Sequence, residues 1–146
     1  MANSGDMFRD ALIAEIQSWG DPIDILSEKP VGARFVKTPR YLDIILKYTT
    51  ENESKYLGIE AKVQNTDGTA YQKLTYALED CKVCPIPTII VFSGKGIRDD
   101  MKSQLITSGF GIEVEYDAAN GTIIDNHNLF RQRVYIELGL DWFSLY

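Results

Sequence analysis

The stretch Y-L-G-I-E-A-K-V-Q, residues 56–64, decides the fold of this chain. It has the apolar composition of a buried β-strand, yet it carries two charges, Glu60 and Lys62, two positions apart. Side chains alternate along a strand, so both charges point to the same face of the sheet. A carboxylate and an ammonium group side by side on so apolar a strand indicate either a solvent-facing ion pair or a functional site.

Outward from this strand, apolar periodicity predicts the order helix, three strands, helix, strand. A first helix spans about residues 6–19, and residues 21–32 form a loop after it. The runs A-R-F-V-K, L-D-I-I-L-K-Y and K-Y-L-G-I-E-A-K-V then predict an antiparallel meander. A second helix follows, capped by Asp67 or Thr69, and the continuously apolar T-I-I-V-F predicts a central strand covered on both faces. A helix over about residues 99–107, the strand G-I-E-V-E-Y and a less regular tail complete the chain.

The composition is that of one domain covering residues 1–146, with 45% hydrophobic and 25% charged residues. The net charge of −6 argues against binding nucleic acid through bulk charge, so a phosphate-binding role needs a local basic surface. The N-terminus lacks both a basic flank and an apolar core, and no run of ~18 apolar residues occurs. We therefore expect no signal peptide, no membrane contact and a cytoplasmic location.

Two short motifs are weak indicators of chemistry. Cys81 and Cys84 form a lone C-x-x-C, and the one histidine, His127, is too remote in sequence to complete a zinc site. Free thiols at the end of a helix are therefore favoured over a metal or redox pair. The G-K-G of residues 94–96 resembles part of a phosphate-binding loop but lacks the rest of that motif, so we interpret it as a strand-to-helix turn.

Asp43 adds a second carboxylate to the charged strand. It lies in the second predicted strand, and hairpin pairing with the third strand gathers Asp43, Glu60 and Lys62 at one end of the sheet. Two neighbouring carboxylates repel each other unless a divalent cation lies between them, and hard oxygen ligands with open water positions suit Mg²⁺. A metal ion and an ammonium group stabilise the charge that develops when water attacks a phosphodiester.

Asp43 and the Glu60-Ala61-Lys62 run resemble the signature of the PD-(D/E)xK nuclease superfamily, although Pro39 lies four positions before Asp43 rather than directly before it. The resemblance covers about residues 6–92. It implies an α/β fold with a restriction-endonuclease-like core, α-β-β-β-α-β, in which helices flank a mixed central sheet. It also implies that Asp43 and Glu60 bind Mg²⁺, with Mn²⁺ as a substitute, and that Lys62 positions or activates the attacking water.

The same resemblance extends to further polar residues. Gln64 matches a glutamine that supports the site in some members, which makes it a candidate catalytic residue. Glu15, on the first helix, either matches the additional metal-binding acid of many members or is an ordinary exposed helix residue. Gln72 and Tyr76 either repeat the Q-x-x-x-Y pattern of exonuclease-like branches or form an ordinary helix face.

The expected substrate is double-stranded DNA, and the basic residues near the proposed catalytic strands are the expected contacts. These candidates are Arg34, Lys37, Arg40, Lys73 and Lys95. The implied function is a Mg²⁺-dependent endonuclease of the homing or phage type or of the type II restriction type. The alternative is a catalytically inactive nucleic-acid-binding module of the same fold.

A double-strand break is most simply made by two active sites related by symmetry, so a homodimer or a tetramer is expected. Residues 140–146 contain five large apolar or aromatic side chains, which need a surface to cover them. This tail either contacts another subunit or folds back on its own domain.

Overall fold

The computed structural model describes residues 4–27, 30–33, 39–65 and 70–146, apart from the side chains of residues 27 and 70–72. The described residues form four α-helices: α1 (Ser4–Ser18), α2 (Ala70–Val83), α3 (Asp99–Thr107) and α4 (Leu129–Leu138). Their strands are β1 (Asp24–Ser27), β2 (Pro30–Ala33), β3 (Pro39–Tyr41), β4 (Ile44–Thr49), β5 (Ser54–Val63), β6 (Thr88–Ser93), β7 (Gly111–Glu113), β8 (Glu115–Asp117) and β9 (Thr122–Ile124). None of these helices combines the length and the apolar character needed to cross a membrane.

Five of the described strands form a mixed central sheet in the order β1-β4-β5-β6-β7. β1, β4 and β5 are antiparallel neighbours, whereas β5, β6 and β7 run parallel. The parallel pairing of β5 with β6 requires a crossover, which α2 supplies. β2 pairs with β3, and β8 with β9, in two small hairpins outside this sheet. The predicted α-β-β-β-α-β order is thus confirmed by α1, β1, β4, β5, α2 and β6.

Both faces of the central sheet are covered by helices. One apolar cluster joins α1 and α4 to a sheet face that includes Ile44, Leu46, Leu57 and Ile59. A second cluster joins α2 and α3 to the opposite face. All six residues of β6 are buried, as predicted for a central strand with a continuously apolar sequence.

The sheet's first strand differs from the one predicted. β1 lies inside the segment expected to be a loop, where Ile25 pairs with Leu46 of β4. The run A-R-F-V-K contributes only Ala33 to a described strand, and residues 34–38 lie outside the described part of the chain. A four-residue edge strand such as β1 is too short to produce a clear alternation of apolar and polar residues. β1 becomes evident only from its pairing with β4.

Towards the C-terminus, the predicted strand G-I-E-V-E-Y is divided at Val114 into β7 and β8. α4 forms within the less regular tail, and a short 3-10 helix, Trp142–Leu145, follows it.

Candidate active site

Asp43 directly precedes β4 instead of lying within it, which corrects the predicted position by one residue. β4 begins at Ile44, opposite Ile59, so β5 extends beyond its partner. Ala61 lies on the stretch of β5 that β4 does not reach, although β6 pairs with it on the other side, and its backbone N–H donates a hydrogen bond to Asp43 Oδ2 at 2.8 Å. The carboxylate therefore takes the place of a backbone carbonyl at the end of the ladder. This bond fixes Asp43 beside the residue that separates Glu60 from Lys62.

Glu60 and Lys62 share the sheet face that α2 covers. Glu60 is only 6% exposed. Lys62 Nζ lies 3.6 Å from Glu60 Oε2, and the lysine side chain remains 35% exposed. Because a buried carboxylate is unfavourable unless it is compensated, this pair differs from a solvent-facing ion pair on a one-sided sheet. The arrangement places a buried negative charge next to a cation that reaches solvent.

Leu42 and Gly58 bring the Asp43 segment close to β5. A Cβ on Gly58 would lie 2.6 Å from Leu42 Cδ1 and 2.8 Å from Thr88 Oγ1. Any larger residue at this position would therefore require the Leu42 and Thr88 side chains to move. The glycine in Y-L-G-I-E-A-K lets Leu42 pack over the strand two residues before Glu60.

Gln64 connects the end of β5 to the turn after β6. Its Nε2 donates to the carbonyl oxygen of Gly96 at 3.3 Å, and the N–H of Gly96 donates to the Gln64 carbonyl oxygen at 2.8 Å. Gly94 has φ +120°, and a Cβ there would lie 1.9 Å from the Gln64 carbonyl oxygen. The G-K-G motif is therefore the expected strand-to-helix turn, and its glycines permit the close approach.

Glu15 is not brought to Asp43 and Glu60. Its Oε1 accepts a hydrogen bond from Trp19 Nε1 at 3.3 Å, and Trp19 packs against Phe130 of α4. Within the described residues, no group of three or more His, Cys, Asp or Glu side chains could hold a metal ion. Asp43 and Glu60 both approach Ala61, Asp43 through its hydrogen bond to the Ala61 amide and Glu60 as the preceding residue of β5.

Two of the candidate DNA contacts lie at the same end of the sheet as Lys62. Exposed Lys73 lines a cavity of about 270 Å³ together with Lys62 and Gln64. Exposed Lys95 lines a neighbouring cavity of about 510 Å³ with Asn65. Arg34 and Lys37 lie outside the described residues.

Arg40 requires a correction, because it is only 1% exposed and is not part of a basic surface. Its NH2 group lies 3.2 Å from Asp80 Oδ1, near the end of α2. Composition alone placed this arginine on the surface. The outer residues of β3 are both exposed, however, so the alternation of the strand directs the middle residue inwards. No sequence pattern indicated Asp80 as the partner of Arg40.

The thiols lie near the buried face of Glu60. Burial above all, with the negative charge of Glu60, raises the pKa of the Cys81 thiol to about 12. Cys81 is therefore protonated at neutral pH and is a poor nucleophile or metal ligand. Cys84 is half-buried just beyond the end of α2, so both cysteines occupy the predicted helix end. Tyr76 is exposed on α2, and the side chain of Gln72 is not among those described.

A family model described as the PD-(D/E)XK nuclease superfamily domain matches residues 11–124. The match includes Asp43 and the strand that carries Glu60 and Lys62, and it ends before α4. No curated protein and no solved structure matches the chain significantly.

Proposed function

The chain belongs to the PD-(D/E)XK nuclease superfamily, and we propose that it is a metal-dependent endonuclease that hydrolyses phosphodiester bonds in double-stranded DNA. Residues 1–146 would form one nuclease domain. The observation that supports this proposal is the arrangement of Asp43, Glu60 and Lys62 at one end of β5, where a carboxylate hydrogen-bonded to Ala61 adjoins the ion pair of buried Glu60 and partly exposed Lys62. Side chains alternate along β5, so Glu60 and Lys62 lie on one face. β4 begins only at Ile44, which leaves the Ala61 amide to Asp43.

The donor set fits a hard divalent cation. Asp43 and Glu60 offer carboxylate oxygens, the ligands preferred by Mg²⁺ and by its substitute Mn²⁺. The bound ion would polarise the phosphate and lower the pKa of a coordinated water molecule. The 6% exposure of Glu60 limits competition from bulk water, which strengthens electrostatic interactions in the site.

Lys62 supplies the positive charge of the proposed site. Its ammonium group is held within 3.6 Å of a Glu60 oxygen, yet the side chain is exposed enough to reach a bound phosphate. From this position it orients the attacking water and stabilises the charge that develops on the phosphate oxygens. Gln64 acts indirectly in this scheme, by fixing the end of β5 to the turn at Gly96.

Lys73 and Lys95 are the proposed phosphate contacts on either side of the cleavage position. They lie beside cavities at the Lys62 end of the sheet, so a nucleic-acid backbone passing over the site would meet both. A net charge of −6 weakens attraction elsewhere on the surface. Binding should therefore depend on few phosphate contacts and have a shallow salt dependence.

The proposed biological form is a homodimer or tetramer acting as a homing or phage endonuclease or as a type II restriction enzyme, in the cytoplasm where DNA is accessible. The tail supports an interface, because Phe143 remains 74% and Tyr146 67% exposed. Removal of residues 140–146 should shift the protein towards monomer in light scattering and turn double-strand cuts into nicks. Ile106→Ser, which changes another exposed apolar residue, is the matched control and should leave the assembly intact.

Cleavage of supercoiled plasmid with and without Mg²⁺ tests the proposed function. Mg²⁺ or Mn²⁺ should produce nicked and linear DNA, whereas Ca²⁺ should support binding without cleavage. DNA binding without cleavage under every divalent ion would favour the inactive binding module instead. Cleavage of RNA but not DNA would support the proposed active site and show that the substrate is RNA.

A further inference from the structure

Arg40 is the most unusual buried group near the candidate site. It is 1% exposed, and within the described residues it forms an ion pair with Asp80 on α2. Its Nε is the single buried side-chain nitrogen or oxygen without a hydrogen-bond partner in the part of the chain that the structure describes. A buried arginine in a strand of three residues is an unfavourable choice for packing alone.

Stability is a weak reason for this ion pair. Burying the Arg40 guanidinium removes its hydration, the Asp80 side chain stays 24% exposed, and an apolar residue of similar volume often stabilises a protein equally well or better. The guanidinium also leaves one donor unsatisfied, which a methionine or leucine would not do. An effect on the position of neighbouring residues is therefore the better explanation for this ion pair.

The position of Arg40 connects it to Asp43. Arg40 is held by Asp80, Leu42 packs against Gly58, and Asp43 accepts a hydrogen bond from Ala61. These three attachments lie within four consecutive residues that join β3 to β4. The first of them ties the segment to α2, the helix that covers the Glu60 face of β5.

We propose that the Arg40–Asp80 ion pair is a positioning device that holds the Asp43 carboxylate beside Ala61 and Glu60 before any ligand binds. Arg40 then contacts neither metal nor DNA, and it acts through the backbone of the segment from Arg40 to Asp43. A carboxylate that is already in place loses less conformational freedom when a cation binds. The consequence for metal affinity rests on the proposed function, whereas the placement of Asp43 does not.

Amide hydrogen exchange tests the placement without metal or DNA. In Arg40→Met, loosening of Asp43 should expose the Ala61 amide and speed its exchange by about tenfold. The Leu57 amide, farther along the same ladder, should exchange as in the wild type. Arg133→Met removes an arginine from an ion pair on α4 and is the matched control, for which both amides should be unchanged.

Calorimetry with Ca²⁺ tests the consequence for ion binding. Arg40→Met and Asp80→Asn should each weaken the affinity by about tenfold, in the range found when groups that support a metal ligand are removed. Arg40→Lys keeps the charge and should recover part of both the affinity and the Ala61 protection. If Arg40→Met fails to fold, Ala61 exchange and Ca²⁺ affinity are measured in Asp80→Asn and Arg40→Lys instead.

The outcomes separate the two proposals. Unchanged Ala61 exchange in folded Arg40 and Asp80 variants would overturn the positioning role. Faster Ala61 exchange with unchanged Ca²⁺ affinity would support the positioning role and refute Asp43 as a ligand of the cation. A wild-type protein that binds no divalent cation would instead refute the metal-dependent function, and the exchange rates would still decide the role of Arg40.

Discussion

Lys62→Met should slow DNA cleavage by about three orders of magnitude while leaving the fold intact. Methionine keeps much of the length and the apolar stem of lysine but removes the ammonium group. The wild-type ammonium lies 3.6 Å from a Glu60 oxygen, so a phosphate bound to a cation held by Glu60 would lie close to that ammonium group. The substitution therefore removes one positive charge from the place where negative charge develops.

The magnitude follows from this distance. Two unit charges about 4 Å apart interact by about 4 kcal/mol at an effective dielectric constant of 20. Loss of that term from the transition state alone corresponds to a rate decrease of about 10³-fold. The variant also leaves the buried Glu60 carboxylate without its lysine, which should lower the free energy of unfolding by about 2–3 kcal/mol. The loss of rate and the loss of stability must therefore be measured separately.

Single-turnover cleavage of a plasmid at saturating Mg²⁺ measures the chemical step, and urea denaturation measures the stability of the same preparation. Lys55→Met is the matched control, because Lys55 lies at the opposite end of β5 and is half exposed. It should cleave at the wild-type rate.

A Lys62→Met rate within about fivefold of the wild type would refute the transition-state role, since it would leave less than about 1 kcal/mol for the ammonium group. Equal losses in Lys62→Met and Lys55→Met would point to general electrostatic attraction of DNA. A loss of rate that disappears at higher DNA concentration would place Lys62 in substrate binding instead.

Asp43→Asn and Glu60→Gln should each abolish cleavage and weaken Ca²⁺ binding, by more than the roughly 10–100-fold lost when a residue that supports a metal ligand is removed. Unchanged Ca²⁺ affinity of both variants in calorimetry would show that neither residue is a ligand. Gly94→Ala combines φ +120° with a Cβ only 1.9 Å from the Gln64 carbonyl oxygen, so it should lower Tm by about 2–4 °C for each 1 kcal/mol lost, whereas Gly20→Ala, at φ +74° with nothing within 4 Å, should lower it less. The pKa of Cys81 rises from 9.0 to about 12 on folding, so the native protein binds more protons than the unfolded chain in this interval. Stability should therefore fall by about 1.4 kcal/mol per pH unit from pH 9 towards pH 12, and Cys81→Ser should flatten that slope in urea titrations.

Sequence alone predicted what depends on neighbouring residues. The alternation of Y-L-G-I-E-A-K-V-Q put Glu60 and Lys62 on one face, and the continuous apolar run of β6 indicated a strand buried on both sides. Helix periodicity located α3 at residues 99–107. The family resemblance rested on the same local pattern, and the family match confirms it.

Tertiary structure decided which residues meet. Asp43 and Ala61 are 18 residues apart, Gln64 and Gly96 are 32 apart, and Arg40 and Asp80 are 40 apart. No periodicity within one segment encodes such pairs. The contact of Trp19 with Phe130, which joins the Glu15 region of α1 to α4, is likewise a pairing of distant segments.

The division has a physical cause. Backbone geometry repeats every 2.0 or 3.6 residues, so a short sequence window determines the element type and the face that each side chain occupies. Burial of a charge depends instead on free energy summed over contacts from distant segments, which no window contains. The sequence therefore determined the strand and its two charges, whereas only the folded chain decided that Arg40 is buried against α2 and that Asp43 completes the ladder of β5.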